Sequence, residues 1–199
     1  MFRTSRYLIS CLGFAAAVGC TDDPDTAPAL TTDPGPGFAL RCASSGKNAY
    51  DTYGQPAFYT ITRNVLAHAG AELSANGPAN LGDSIPNIGT GTLPSNHDDI
   101  KTFEGKVAAY FVWAYGGPEQ IQYTDGIAYG GPQNMTAAHI GMNITGAQYD
   151  YFVANIVAPA LIDSGIKHGA GGAADPDDLA TCFAPVVADA AYKAAMVGK

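Results

Sequence analysis

Charge is scarce in this chain, and positive charge most of all: Lys and Arg number 10 against 18 Asp and Glu, giving a formal net charge of -8. Charged residues make up only 14% of the sequence. That balance excludes the basic surface that phosphate-rich polymers need, so nucleic acid and an anionic membrane face are not expected as electrostatic partners. Long apolar runs are missing too. The main one, residues 7–18, has the length of a signal-peptide hydrophobic region and is too short to cross a bilayer. Strand-type alternation is rare, no flavin or nicotinamide fingerprint is present, and no serine or cysteine sits in a nucleophile motif, which leaves a hydrolase with little support. What the chain does have is a 47% hydrophobic fraction, enough for one sizeable core, with 24 glycines and 13 prolines that call for long connections.

The N-terminus reads as an address. Arg3 and Arg6 precede the apolar run, which ends in Ala17-Val18-Gly19-Cys20. Small residues before a cysteine resemble a bacterial lipobox, cleaved before Cys20 and acylated on its thiol, although Ala17 stands where leucine is usual. The alternative is plain secretion. Residues 1–19 are therefore expected as signal peptide, 20–41 as a lipid-anchored tether rich in Thr, Asp, Pro and Gly, and 42–199 as the folded domain. The protein would be exported, periplasmic or cell-surface, and membrane-held only through the lipid on Cys20. Cys11 leaves with the signal. Cys42 and Cys182 then remain as either one disulfide in an oxidising compartment or two buried thiols.

Helical periodicity dominates the domain. Over residues 98–115 apolar residues recur at Ile100, Phe103, Val107, Tyr110, Phe111 and Ala114, with Asp98 or Asp99 as cap and Gly116-Gly117-Pro118 as the stop. Residues 145–164 repeat the pattern, with Thr145 and Gln148 as a capping box and Pro159 as a kink. A last helix is expected with Asp175 as cap and Pro176 in its first turn, carrying Leu179, Phe183, Val186, Val187 and Ala190 on one face. Residues 77–97, with three prolines, are expected as a long surface loop. The fold class predicted is all-α with long surface loops.

Of the four histidines, His139 stands out. It lies in Asn134-Met135-Thr136-Ala137-Ala138-His139-Ile140-Gly141-Met142, where Met135 and Met142 fall near its face of a short helix. A neutral imidazole among apolar neighbours suits a metal in a greasy pocket, although a histidine of the core or the surface is the commoner meaning of such a pattern. The runs FEGKVAAYFVWAYGGPEQIQYTDG and MTAAHIGMNITGAQYDYFVANIVAPALIDSGI resemble the core of the group I truncated globins, in which a helix ends in Gly-Gly-Pro and a later Ala-His precedes Ile-Thr. Weaker echoes lie in Tyr50-Asp51-Thr52-Tyr53-Gly54 and Ala184-Pro185. The resemblance implies a truncated globin-like helical fold around haem b, with His139 as the axial ligand of the iron. It also implies Phe103, Val107, Tyr110 and Phe111 on the distal side, Lys106 toward a propionate, and Met135 and Leu66 at the haem.

The chain departs from the family in three places. Extra residues between Gly-Gly-Pro and His139 let either Tyr123 or Tyr129 stand for the family's single tyrosine. The 77–97 loop is long. The distal position that often carries a tyrosine falls on Leu66, Thr62 or Tyr59, depending on the register. With Leu66 there, the distal pocket is expected to be mostly apolar, with Tyr110 its only hydrogen-bond donor, and nitric oxide favoured over oxygen. His68, two residues past Leu66, is a candidate sixth ligand; His97 and His168 read as surface residues. The function implied is reversible binding of a diatomic gas. The alternatives are a nitric oxide dioxygenase, which would need a separate electron donor, and a haem-free interaction module that tolerates loss of His139.

Overall fold

A computed structural model describes residues 35–84, 100–131 and 134–199. The signal region, Cys20, most of the 77–97 loop with His97, and the Asp98 and Asp99 caps lie outside the described residues. About 56% of the described residues are helical and the strands are few and short.

Helix α1, Ala49–Ala75, begins at Asn48, whose side chain accepts the Asp51 N–H. It is broken at Gly54, where φ is 75° and ψ 163°, a conformation that glycine adopts without strain; Pro56 then sits in the first turn of the longer part. Asn76, in the left-handed region, ends it. A short α2, Leu81–Ser84, follows. The first part of the expected surface loop is thus anchored: Ala79 and Leu81 are buried, and Ala79 N–H donates to Glu72 Oε1 at 2.9 Å.

Helix α3, Ile100–Ala114, runs antiparallel to α1, with Tyr50 N–H on Tyr115 O at one end and Arg63 Nε on Glu104 Oε1, 2.9 Å, at the other. Its stop is the one expected. Gly116, at φ 94°, sends its N–H to Trp113 O, and Gly117 N–H reaches back to Val112 O at 2.8 Å, a Schellman ending. Strands β1, Gln120–Gln122, and β2, Ala128–Gly130, form an antiparallel hairpin on α3. The expected tether ends sooner than residue 41: Gly37 N–H bonds Ala114 O at 2.7 Å, and Gly35 lies so near Trp113 that a side chain there would meet its carbonyl.

Helix α4, Met135–His139, is capped by Asn134. Helix α5, Gly146–Phe152, opens with the Thr145–Gln148 capping box and passes through a π-helical stretch, Val153–Val157, into α6, Ala158–Asp163. The proline thus produces a wide turn, in which Ala158 N–H pairs with Val153 O five residues back, relieving the carbonyls that Pro159 cannot serve. A second π-helical stretch, Leu179–Phe183, precedes α7, Ala184–Val187, and Pro185 in the same spacing. The last helix differs from expectation at both ends. Asp175 and Pro176 lie in strand β4, Asp175–Asp177, paired with β3, His168–Gly172, because the Asp175 carboxylate takes the Ala170 N–H of the facing strand; Asp177 instead receives Ala180 N–H. The helix also breaks at Asp189, which caps a separate α8, Ala190–Ala194.

Cys42 and Cys182 are joined, with Cα atoms 4.8 Å apart across a sequence separation of 140. Near them in the core, the rings of Phe58, Tyr115 and Phe183 lie within 4.8 to 6.2 Å of one another. Buried Asp178 completes it: Ser44 Oγ and Tyr53 OH donate to Oδ2 at 2.5 and 2.6 Å, and Ser44 N–H to Oδ1 at 2.8 Å.

Candidate functional site

Helix α3 presents three faces, and two of them are buried along their length. Ala108 and Val112 are buried on the side toward α1. Gly105 lets the Tyr129 ring of the hairpin lie against the helix so closely that a Cβ would overlap it, and Gly131 sits against Ala109 and Trp113 on the same side. At 100° per residue, Phe103, Lys106, Val107 and Tyr110 share the remaining arc of roughly 100°. Tyr110, at its C-terminal end, is buried: its ring packs on Trp113 and on Tyr192 of α8 at 5.8 and 6.3 Å. Burial pushes the Tyr110 phenol up to about 12, so it stays protonated. Phe103 and Val107 are half-buried. Phe111, expected beside them, turns toward the core, near Tyr110 and Tyr115.

The C-terminal residues link this face to α4. Tyr192 meets Tyr110 at one end of the strut, while Gly198 N–H bonds Ile144 O and Asn143 N–H bonds Lys199 O, both at 2.9 Å, immediately after His139. Lys193 Nζ secures it to Asp150 at 2.5 Å, lying 5.5 Å above the Tyr149 ring. Tyr192, Lys193, Gly198 and Lys199 did not stand out in the sequence; Asp189, spaced as a cap for the Tyr192 N–H, was the available signal.

Helix α4 itself buries no residue, and Ile140 beyond it is 71% exposed. His139 Nδ1 lies 2.7 Å from Met135 O. A carbonyl can only accept, so Nδ1 carries the proton and Nε2 is the bare nitrogen of a neutral ring. Burial holds the imidazole below its ordinary pKa, outweighing the opposite pull of the Met135 carbonyl, so the ring is neutral near pH 7. Among the described residues, no partner is recorded for Nε2. Met135 is half-buried and packs against the core.

The three candidates for the distal position are not equivalent. Tyr59 OH donates to Gln122 O at 2.5 Å and its ring packs edge-on against Tyr123, 4.7 Å away. Thr62 is buried with its hydroxyl on Phe58 O at 2.9 Å. Leu66 is half-buried, like Phe103 and Val107. One turn beyond Arg63 on antiparallel α1, it comes level with the first turns of α3, where Phe103 sits. His68 turns the other way, to Asp163 Oδ2 on α6 at 2.8 Å, which commits the nitrogen a sixth ligand would use. His168 is exposed on β3. Tyr123 and Tyr129 both anchor the hairpin, through Glu104 and Asp125 respectively.

No family model, curated protein or solved structure matches this chain. The arrangement must therefore be judged on its chemistry. It offers one bare, neutral imidazole nitrogen, a half-covered apolar strip on α3, and a strut that joins the two. Among the described residues no three His, Cys, Asp or Glu side chains gather as a metal cluster, so His139 would act as a single protein ligand.

Proposed function

We propose that the chain is a haem-binding globin of the truncated kind, holding haem b through His139 and binding a diatomic gas reversibly. The observation that carries this reading is His139 itself: its Nδ1–H is fixed to the Met135 carbonyl and its Nε2 is left bare, in a ring that burial keeps neutral. The residues that the resemblance puts at the haem have side chains that suit such a group. Phe103, Val107, Leu66 and Met135 are apolar and half-buried, as the edges of a slot for a large flat disc would be, and Lys106 shares the α3 arc where a propionate would want a cation.

When bound, haem supplies an iron with one open position for a gas. This chain's residues would do the rest. The Met135 carbonyl fixes the tautomer and the plane of the His139 ring. The Tyr110–Tyr192 pair closes one end of the slot against water, and the bonds from Gly198 and Asn143 fix the exit of α4. A nitric oxide dioxygenase cycle would draw electrons from a separate donor. The disulfide supports an oxidising compartment, in keeping with export and a lipid on Cys20.

The test is a haem titration of the purified protein beside its His139→Ala variant, read by visible absorption. One haem per chain with an intense band, lost or shifted in the variant, is the expected result. A parent that stays colourless with its helical content intact would contradict the reading and favour a haem-free interaction module.

A further inference from the structure

Among the described residues no three His, Cys, Asp or Glu side chains gather around His139, but sulfur lies close to it in the chain. Two of the four methionines flank it, Met135 one turn before and Met142 three residues after. Across residues 134–143 only Met135, His139 and Met142 are half-buried; every other residue is exposed, so these three side chains are the ones turned toward the protein. The backbone keeps them together. Positions four apart share a helix face, and the His139 ring folds back over its own turn, with Nδ1 2.7 Å from Met135 O. Beyond α4 the chain turns at once: Met142 N–H bonds His139 O at 3.1 Å, through Gly141 at φ 83°, which glycine adopts without strain. The histidine nitrogen left bare among them is Nε2.

One neutral nitrogen and two thioethers make a donor set without charge. Hard divalent cations take carboxylate oxygens, and this segment offers none: the chain has no acidic residue between Asp125 and Asp150, and those two are held by Tyr129 and Lys193. Thioether sulfur selects soft cations, Cu(I) above all, and a neutral set suits a single positive charge. Thioethers also form no disulfide, so they stay available under the conditions in which Cys42 and Cys182 are joined. We propose that Met135, His139 and Met142 form a binding site for a soft monovalent cation, Cu(I), in the haem-free protein. The site goes beyond the haem reading and does not rest on it. Because Nε2 holds one metal at a time, Cu(I) and haem exclude each other on His139.

The experiment titrates Cu(I) into the full chain without haem, with free thiols blocked by N-ethylmaleimide, ascorbate as reductant and a chromogenic Cu(I) chelator as competitor. X-ray absorption then reads the donor atoms. One Cu(I) per chain is expected, with both nitrogen and sulfur neighbours, and Zn(II) at the same concentration should not displace it. Met135→Leu and Met142→Leu should each weaken Cu(I) by about tenfold or more, no less than the loss of a supporting contact costs a metal site. Met142→Leu, which has no part in the haem reading, should leave haem uptake unchanged, while His139→Ala loses both ligands. Cu(I) affinity indifferent to both methionine substitutions, a copper ion with no sulfur neighbour, or displacement by Zn(II) would overturn the proposal and leave haem binding intact. If a methionine variant does not fold, the sulfur neighbours of the parent's copper decide alone. A parent that takes Cu(I) through sulfur but never haem would overturn the haem reading and leave this one standing.

Discussion

The two ends of the helix pair α1 and α3 are built differently. At the end where Tyr50 meets Tyr115, the rings of Phe58, Tyr115 and Phe183 pack tightly, the disulfide joins Cys42 to Cys182, and buried Asp178 has a donor for each oxygen. At the other end, Leu66, Phe103 and Val107 are half-buried, and elsewhere α4, which carries His139, buries no residue. The first end is satisfied by the chain alone. The second has half-buried apolar side chains, and among the described residues His139 Nε2 has no partner. Marginal stability leaves little room for such a region unless something else repays it, and a bound flat apolar group would do so by mass action.

The comparison can be broken most forcefully at the satisfied end. Replacing Cys42 and Cys182 with serine together should lower stability by up to about 5 kcal/mol, since the bridge closes a loop of 140 residues in the unfolded chain. Denaturant midpoints with and without reductant would measure it, and a parent indifferent to reductant would show that the bridge contributes little. Next in size is a matched pair of truncations in haem-free protein. Phe58→Ala should cost about 3 to 5 kcal/mol, whereas Phe103→Ala should cost about 1 kcal/mol or less because its ring is only half covered. Equal losses in thermal or urea unfolding would erase the contrast.

The smallest effects are those of pH. Burial pushes the Asp178 carboxyl up, but the hydrogen bonds from Ser44 and Tyr53 outweigh it and hold it below the usual carboxylate range. Its stabilisation is therefore complete above about pH 4 and is lost as the pH falls through the lower folded value. Asp178→Asn should cost about 1 to 3 kcal/mol at pH 7 and less in strong acid. His139 acts with the opposite charge change. Its folded pKa is depressed, so the unfolded chain takes up the proton first, and the haem-free protein should lose stability as the pH drops below about 6.5. A His139→Gln variant should lack that slope.

Much of this was readable from local pattern. The Schellman ending at Gly116-Gly117 and the Thr145–Gln148 box are written in neighbouring residues, and so is the wide turn that Pro159 demands. The cysteines could pair in only one way once the signal and lipid sites were set aside. What escaped depends on distant contacts. The three-residue strands β1 and β2 exist because Tyr123 and Tyr129 bond Glu104 and Asp125, and no alternation announces them. Asp175 looked like a helix cap until Ala170 claimed its carboxylate. At the candidate site, His139 and Phe103 stood out in the sequence, but the partners of its tyrosines did not. Tyr59 is committed by Gln122, 63 residues away in sequence, and Tyr110 is covered by the ring of Tyr192, 82 residues away.

The most direct test of the account is hydrogen exchange followed segment by segment, with and without haem. Without haem, α4 and the first half of α3 should exchange much faster than the region around Cys42, Phe58 and Phe183; with haem, protection should rise at α4 and around Phe103 and Val107 and stay unchanged at the disulfide end. Equal protection of the two ends in the haem-free protein, or a haem-induced change spread evenly over both, would contradict the claim that one end of this fold is complete and the other awaits its ligand.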